Sequence, residues 1–205
     1  CAGLIRFEDK GGNNNRYHGI DLRNKNNGDI RILNQDVGTG DRCEFVIGMN
    51  MPSGGAETMR INQNGHRTNV KQPYFHVQAS PEVTNSPYDN SVKTFDNIRV
   101  NNGSHYDNST GVFTCPTAGF YWFSGGIWAS TSDNSAGTYI LMLVRRDSNG
   151  NNEVQFAGAN HRHTKNQLTV SAGYYCSSGD KIYLEWNGSI QGSTPRNYFS
   201  GVLVA

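Results

Sequence analysis

The sequence predicts an all-β protein built as a β-sandwich or jelly roll. Short runs that alternate apolar and polar residues recur at spacings of roughly 8–12 residues. Turns rich in Asn and Gly separate them, and the 205 residues include 24 Gly. Only 17% of the residues are charged, which is little for helical surfaces, and there is no heptad pattern. We therefore expect strands throughout and no helix.

The first part of the chain predicts a small β-rich segment over residues 1–72. Asn and Gly between its strands tolerate positive φ, which is typical of tight turns. The piece AETMRINQNG at 56–65 is similar to a strand-turn element of trimeric β fibres, and an ordinary hairpin explains it equally well. Residues 66–73 lack apolar periodicity and end in Pro, which predicts a linker. The expected strands are Ala2–Glu8, His18–Arg23, Asp29–Leu33, Glu44–Met49 and Thr58–Asn62.

Residues 73–205 predict a second domain with a denser series of strands. A loop rich in Ser, Pro and Asn occupies 80–90 and follows the first of them. The expected strands are Tyr74–Ala79, Thr94–Val100, Gly111–Cys115, Phe120–Trp128, Thr138–Arg145, Glu153–Gly158, Gln167–Ser171, Tyr174–Ser177, Lys181–Trp186 and Asn197–Val204.

The strand at 120–128 carries large aromatic residues on both of its faces. The two-residue period puts Tyr121 and Phe123 on one face and Phe120 and Trp122 on the other. A single sandwich buries only one face of each sheet, so the second face needs a cover. We expect a neighbouring subunit there, with Phe120, Trp122 and Trp128 at a trimer interface. Cover by the N-terminal segment is the alternative.

Bulk properties exclude several partners and predict a compartment. A formal net charge of +1 gives no reason to expect nucleic-acid binding, and no apolar run is long enough for membrane insertion. The sequence begins at Cys1, contains four Cys and has acceptor motifs for N-glycosylation at Asn102, Asn108 and Asn187. Together these features favour a processed, secreted glycoprotein.

The densest cluster of His and Arg side chains is His161-Arg162-His163. On a strand, His161 and His163 share a face and could hold a transition metal, but no third ligand lies nearby in the sequence. A solvated loop is the simpler interpretation. As part of a sugar-binding loop, Arg and His could donate hydrogen bonds to hydroxyls or a sialate carboxylate.

Carbohydrate sites also use an aromatic platform, and Trp128, Tyr139 and Tyr198 are candidates. Trp186 shares a face with Ile182 and Leu184, so it is expected in the core. The sequence contains no motif of a nucleophilic triad, a phosphate-binding loop or a zinc hydrolase, so we expect no enzyme activity.

The second domain resembles the globular head domain of complement C1q and its secreted relatives. Phe95, Asn101, Tyr106-Asp107, Thr110-Gly111, Phe113 and Gly119-x-Tyr121-x-Phe123 stand in the family's order, followed by Gly179-Asp180 and Phe199-Ser200-Gly201. The match runs over about residues 74–205. No collagen-like Gly-X-Y repeat occurs in this sequence, so coupling to collagen-binding proteases is not supported.

The resemblance implies a ten-stranded jelly roll of the tumour-necrosis-factor type, assembled as a homotrimer, with ligands bound by outer loops and no catalysis. Stalkless relatives often act as lectins. We therefore expect a secreted carbohydrate-binding recognition protein of innate immunity, whose partners are glycans or glycoproteins on cell or microbial surfaces. An extracellular structural or matrix protein and a cytokine-like receptor ligand are the alternatives.

The family's topology also bears on cysteines and calcium. It implies a Cys115–Cys176 disulfide and leaves Cys1–Cys43 to close the N-terminal segment, unless Cys1 bridges chains. Relatives can bind Ca²⁺ through loop carboxylates and carbonyls. Here the loops offer Asp133, Asp147 and Glu153 without a dense acidic motif, so no metal ligand set is predicted, although Ca²⁺ stays a candidate cofactor.

Overall fold

The computed structural model describes residues 17–23, 29–36, 43–49, 56–62, 64–79, 95–128, 138–162, 167–187 and 196–204. All the regular structure in these ranges is β-strand. The chain divides into two compact units, residues 1–71 and 72–205. The expected strand Ala2–Glu8, Cys1, Asp133 and the loop at 80–90 lie outside the described ranges.

The first unit contains a five-stranded antiparallel meander in which each strand pairs with the next along the chain. The turn after its fourth strand is closed by Asn62, whose Oδ1 accepts the backbone N–H of Asn64 (3.0 Å) and of His66 (2.9 Å). Arg67 and Thr68 then pair with the fourth strand, so the expected linker at 66–73 contains a short strand. The strands are β1 (Tyr17–Arg23), β2 (Asp29–Asp36), β3 (Cys43–Met49), β4 (Ala56–Ile61) and β5 (Arg67–Thr68).

Within its described ranges, the second unit contains ten strands in two five-stranded sheets, the sandwich that the sequence predicted. Its strands are β6 (Tyr74–Gln78), β7 (Asn97–Asn102), β8 (Tyr106–Asp107), β9 (Val112–Thr114), β10 (Gly119–Trp128), β11 (Thr138–Arg146), β12 (Glu153–Arg162), β13 (Gln167–Cys176), β14 (Lys181–Trp186) and β15 (Tyr198–Leu203). Sheet I has the order β13-β10-β15-β6-β7, and sheet II has the order β12-β11-β14-β9-β8.

Two details differ from the sequence prediction. The short strand β8 was not expected. Residues 167–177 were expected as two strands, but β13 runs without a break through Gly173. The reason is packing: a Cβ at Gly173 would lie 2.2 Å from Cζ of Phe120, so the ring occupies the place of a side chain. This glycine serves close approach and does not interrupt the strand.

The core lies between the inner faces of the two sheets. Phe75 stands near its centre, with ring centroids 4.6 Å from Phe113, 5.3 Å from Tyr106 and 4.8 Å from Phe199. Trp186 is buried there, as its face predicted. Tyr106 also satisfies the buried backbone of Phe95: its hydroxyl accepts from the Phe95 N–H at 3.0 Å and donates to the Phe95 carbonyl at 3.2 Å.

One end of the sandwich collects three of the four crossings between the sheets from β10 onward, and the fourth, from Cys176 to Lys181, lies at the other end. The chain leaves sheet I at Trp128 and enters sheet II at Thr138, returns from Arg162 to Gln167, and crosses again from Trp186 to Tyr198. The pairings Trp128–Gln167 and Thr138–Arg162 put these strand ends side by side. We call this the loop end, and it positions most of the residues that the sequence nominated.

Candidate functional site

Trp128 and Arg196 form the centre of the loop end on sheet I. The guanidinium carbon of Arg196 lies 4.0 Å from the centroid of the Trp128 ring, within cation–π distance. The Trp128 backbone N–H donates to Oδ1 of Asn197 at 2.6 Å, and Asn197 is fully buried. Gln167 Nε2 donates to the Arg196 carbonyl at 3.4 Å. These bonds fix the half-buried Trp128 ring and the exposed Arg196 beside each other.

Tyr198 extends this surface along the outer face of sheet I. Its ring lies against Gly126, where a Cβ would come within 2.5 Å of the ring carbon Cε1. Its hydroxyl lies 3.3 Å from Oγ of Ser124, and Ser200 donates to the Ser124 carbonyl at 3.3 Å. Tyr198 is half-buried. The loop end of sheet I therefore presents two aromatic rings beside hydroxyl and guanidinium groups.

His76 stands at the far side of Tyr198, with the two ring centroids 6.1 Å apart. Burial, and then the positive charge of Arg99, lower the pKa of His76 below its usual value of 6.5. A neutral imidazole offers one donor and one acceptor. This residue adds hydrogen-bonding capacity to the same face without adding charge at neutral pH.

Tyr139 is a correction to the predicted sugar-binding set. It is only 9% exposed and belongs to the core cluster, because it shares a face of β11 with the buried residues Leu141 and Leu143. No ring face is left for a sugar. His161 pairs with Tyr139 across β12 and is half-buried. The side chain of Arg162 and all of His163 lie outside the described part of the structure, so the shared His face stays a prediction.

The residues expected at a trimer interface lie on the outer face of sheet I. Phe120 is 40% exposed and Trp122 47% exposed, whereas Tyr121 and Phe123 on the inner face are fully buried. The pairing of β10 with its neighbours adds Tyr175 beside Phe120 and Val202 beside Trp122. Further exposed apolar residues on or near this sheet are Tyr74, Ile98 and Val204. We call the group Tyr74, Phe120, Trp122, Tyr175 and Val202 the aromatic face.

Cys115 and Cys176 are both fully buried and adjacent. The structure holds them as free thiols in hydrogen-bond contact, without the expected disulfide. That contact and burial raise the pKa of the Cys115 thiol far above its usual value. The Cys115 N–H donates to the Asp180 carbonyl and the Gly179 N–H to the Cys115 carbonyl, both at 2.8 Å, which fixes the pair. The disulfide stays a prediction, and Cys1–Cys43 falls outside the described side chains.

The three acceptor asparagines have different surroundings. Asn108 is exposed in the turn that the Gly111 N–H closes onto the Asp107 carbonyl at 2.8 Å. Asn102 is half-buried and its Nδ2 donates to the Gln72 carbonyl at 2.7 Å. Asn187 is half-buried and its Oδ1 accepts the Ile140 N–H at 2.6 Å. Asn108 is therefore the acceptor whose side chain is presented most openly.

The described residues that were considered for Ca²⁺ do not fit the ion. Asp147 accepts the Asn151 N–H at 2.9 Å and also binds the side chain of Asn152, which closes its own hairpin. Glu153 is paired with Arg146 and accepts the Tyr183 hydroxyl at 2.7 Å. Within the described ranges, no three His, Cys, Asp or Glu residues come together as a metal site. A hard cation would need several such oxygens at once.

Arg196 and Tyr175 are the residues of these surfaces that sequence reasoning missed. Arg196 precedes β15 in a turn without periodicity, and only the pairing of β15 with β10 brings it onto Trp128. Tyr175 was expected near the start of a separate short strand, Tyr174–Ser177, so the sequence did not assign its side chain to the outer face of sheet I. Trp128 and Tyr198 were nominated as aromatic platforms for a sugar, and their role in binding stays a prediction.

A family model described as the C1q domain matches residues 74–204. Among solved structures, the globular domain of a zebrafish complement 1qA protein is similar, with 22% sequence identity and a TM-score of 0.45 over 65% of this chain and 98% of that chain. No helix in the described residues is long and apolar enough to cross a membrane. With a ten-stranded sandwich over the matched residues, this chain belongs to the C1q domain family.

Proposed function

We propose that this protein is a secreted, trimeric, lectin-like recognition protein that binds glycans at the loop end of its C1q domain. Proteins with this domain are commonly secreted innate-immune or recognition proteins, and family members form trimers and bind ligands. The finer assignment to carbohydrate rests on the loop end, and the assignment to a homotrimer rests on the aromatic face. No catalytic role is proposed, because the family is a recognition fold.

The observation that carries the carbohydrate assignment is the pairing of Trp128 with Arg196. A pyranose packs its C–H face on an aromatic ring, and its hydroxyls need donors and acceptors at the rim. Arg196 is exposed beside the ring and can donate to a hydroxyl or, more strongly, to a carboxylate. The Tyr198 hydroxyl, near Ser124, supplies a neutral partner on the same face.

Arg196 also limits how a sugar approaches. Its guanidinium covers one face of the Trp128 ring, so a ligand uses the ring edge or moves Arg196 aside. An acidic sugar would draw the guanidinium into a charge-assisted hydrogen bond, which is stronger than a bond to a neutral hydroxyl. The site therefore favours sialylated or otherwise acidic glycans over neutral ones.

The aromatic face supports trimer formation by a separate part of the same strand. An apolar patch with Trp122 and Tyr175 at its centre is costly to leave in water and is typical of a protein–protein contact. Trp122 and Trp128 stand six residues apart on β10, about 20 Å along the strand. One strand can thus hold the interface near its start and the ligand near its end.

Trimer formation matters for affinity. A shallow site with a few polar contacts binds one sugar weakly. Three copies on one assembly that reach a multivalent surface raise the apparent affinity by a factor of about 10²–10⁴ where the geometry allows simultaneous binding. The expected partners are therefore dense glycan surfaces on cells or microbes.

The test is binding of the purified chain to a broad glycan array, with and without Ca²⁺. We expect binding to acidic glycans and a loss of at least tenfold in apparent affinity for Trp128→Ala and for Arg196→Ala. Val154→Ala is the matched control, since Val154 is an exposed apolar residue at the start of β12, away from the loop end. Absence of binding on the array under both conditions would overturn the carbohydrate assignment.

Competition separates this proposal from a cytokine-like receptor ligand or a matrix protein. Agglutination of cells that simple sugars inhibit would support the lectin. Inhibition only by a soluble protein receptor, or incorporation into an insoluble matrix without sugar dependence, would support one of the alternatives instead.

A further inference from the structure

Sheet I carries positive charge without a carboxylate of its own. As the structure describes them, its five strands contain neither Asp nor Glu, and Arg99 of β7 is their only Lys or Arg. A second guanidinium, that of Arg196, joins the same sheet two residues before β15 and lies on the ring of Trp128. A surface with charges of one sign attracts ligands of the opposite sign.

Arg99 is held in place by a neutral group. Its Nε donates to Oε1 of Gln78 at 2.8 Å, and Gln78 is only 8% exposed. Arg99 itself is exposed. The charge of Asp96, the acidic residue nearest to it in the sequence, acts on the buried Tyr106 hydroxyl. The guanidinium is therefore oriented by an amide and keeps its other donors for a further partner.

The arginines of sheet II show the contrasting arrangement, in which a guanidinium meets a carboxylate. Arg145 binds Asp180 at 2.8 Å, and Arg146 pairs with Glu153. Within the described part of the chain, neither guanidinium of sheet I has such an ion pair. A carboxylate or sulfate from outside the chain can therefore form charge-assisted hydrogen bonds with either of them.

The two guanidiniums of sheet I are too far apart to share one acidic group. Arg196 lies on Trp128 of β10, whereas Arg99 is bonded to Gln78 of β6, two strands away. Two strand spacings are about 10 Å. Across β15, Gln78 is level with Gly126, which precedes Trp128 by two residues, or about 7 Å along the strand. The two anchoring positions are thus about 12 Å apart, so each guanidinium needs an acidic group of its own.

The surface between the two guanidiniums offers neutral groups that suit a sugar ring. Tyr198 pairs with Gln78 on one side and with Gly126 on the other, and its ring fills the place of a side chain at Gly126. The Tyr198 hydroxyl lies 3.3 Å from Oγ of Ser124, and the His76 ring lies 6.1 Å from the Tyr198 ring. Hydroxyl and imidazole groups both donate to and accept from sugar hydroxyls.

This row is separate from the aromatic face. Gln78 follows Tyr74 of that face by four residues on β6, and Gly126 follows Trp122 by four residues on β10. Four residues span about 13 Å along a strand. A trimer built on the aromatic face can therefore leave the row between Arg196 and Arg99 open to a ligand.

We propose that Arg99 is a second anion subsite, and that the site takes a glycan chain with at least two acidic groups, sulfate or carboxylate, which runs from Arg196 across Tyr198 to Arg99. This inference rests on the proposed function, because it extends the loop-end site. It names the substrate class as a chain with several acidic groups and assigns Arg99 as the residue that distinguishes it from a glycan with a single acid.

The test compares two probes on the full chain by calorimetry: sialyllactose, which has one acidic group, and a heparin-derived octasaccharide, which has many. We expect the octasaccharide to bind at least about tenfold more tightly, the effect of one added charge-assisted hydrogen bond. Arg99→Gln should remove that advantage and change sialyllactose binding by less than about twofold, a difference below the value of one such bond. Arg196→Gln should weaken both.

Arg67→Gln is the matched control. Arg67 is also exposed, and its Nε also donates to a neutral amide, Oδ1 of Asn69 at 3.2 Å, but it belongs to the first unit. The variant changes the net charge equally and should leave both affinities as in the wild type. Arg99→Lys keeps the charge and should retain most of the affinity for the octasaccharide. The thermal midpoint of each variant checks that it is folded.

The outcomes separate this inference from the proposed function. If Arg99→Gln behaves like Arg67→Gln while Trp128→Ala and Arg196→Ala still lose acidic glycans, the second subsite is wrong and the loop-end site stands. If neither probe binds and the glycan array is blank, both are overturned. An oligonucleotide of equal charge that binds as tightly as the octasaccharide, with the same dependence on Arg99, would contradict the assignment to glycans.

Discussion

The ring of Phe120 occupies the space that a side chain at residue 173 would need. A Cβ at Gly173 would lie 2.2 Å from Cζ and 2.8 Å from Cε1 of Phe120. The two residues are on neighbouring strands, since Gly173 pairs with Trp122 and Phe120 pairs with Tyr175. The absence of a side chain at 173 therefore sets the position of the ring on the aromatic face.

Gly173→Ala should weaken the trimer more than it destabilises the fold. The methyl group meets the far end of an exposed ring, which can rotate away at a cost of about 1 kcal/mol. The displaced ring no longer fits a neighbouring subunit, so the trimer dissociation midpoint should rise while the thermal midpoint of the domain changes little. Sedimentation and calorimetry measure the two effects. A coupling energy near zero between Gly173→Ala and Phe120→Ala in a double-mutant cycle would contradict the contact.

Gly173 also shows where sequence reasoning fails. An Ala-Gly pair in the middle of a run is typical of a strand break, but here the glycine accommodates a ring from a strand that lies some 50 positions away, on the scale of long-range pairing. Phe120 and Trp122 were placed on the correct face because the two-residue period is local. What packs against that face depends on other strands or subunits, and the two-residue period carries no information about them.

The residues of the candidate site also fall into those that the sequence nominated and those that only strand pairing reveals. Trp128 and Tyr198 could be nominated from the sequence because their residue type is that of a sugar platform, and the structure places both rings on the outer face of sheet I. Arg196 could not, because its contact with Trp128 exists only through the pairing of β15 with β10. The burial of Tyr139 could not be predicted, because alternation gives two faces without saying which one is inside; in the structure it shares its face with the buried Leu141 and Leu143.

Gly201→Ala should destabilise the whole domain. A Cβ there would lie 2.5 Å from Cδ1 of Phe123 and 2.7 Å from Cε1 of Phe75. Both rings are buried in the core and cannot move into water, unlike Phe120. Overpacking of this kind costs about 1–3 kcal/mol. Urea unfolding should show a lower midpoint with an unchanged slope, and a stability equal to that of the wild type would contradict the close packing.

Oxidation of Cys115 and Cys176 should stabilise the second unit. Joining the two thiols releases two protons and two electrons to a disulfide oxidant such as oxidised glutathione. The chain-entropy model gives about 4 kcal/mol for a loop of this length. Refolding of the Cys1→Ala/Cys43→Ala chain in a glutathione buffer should give a chain lighter by two hydrogens with a raised thermal midpoint, and a reductant should remove the gain.

The stage at which the Cys115–Cys176 disulfide forms distinguishes it from a bond made by later oxidation of the folded protein. The raised pKa of the Cys115 thiol and its burial keep the thiolate scarce in the folded protein, so the bond should form during folding and only slowly afterwards. Thiol titration of the folded, reduced protein tests this rate. A chain with all four cysteines replaced by Ala is the control, and its stability should not respond to the oxidant. Rapid modification of Cys115 in the folded state would contradict the expected protection.

Two carboxylates on the outer face of sheet II should give the domain opposite responses to pH. Burial, followed by the negative charge of Glu153, raises the pKa of Glu185 above its usual value of 4.5. Arg146 and the Tyr183 hydroxyl lower the pKa of Glu153 below the same value. A carboxyl with a raised pKa in the folded state costs stability as the pH rises above 4.5, whereas one with a lowered pKa contributes stability there.

Glu185→Gln should therefore raise the thermal midpoint at pH 7, and the gain should disappear when the pH falls below about 4.5, where the unfolded chain is protonated as well. Glu153→Gln is the matched variant with the opposite sign. It removes the pairing with Arg146 and the hydrogen bond from Tyr183, so it should lower the midpoint at pH 7 by an amount that shrinks as acid protonates Glu153. Part of this loss is offset, because removing the charge of Glu153 also removes its repulsion of the Glu185 carboxylate. Calorimetric scans between pH 3 and 8, a range of about two units around the usual carboxyl values, measure both differences. A Glu185→Gln gain that is independent of pH would show that the carboxylate is not the source of the cost.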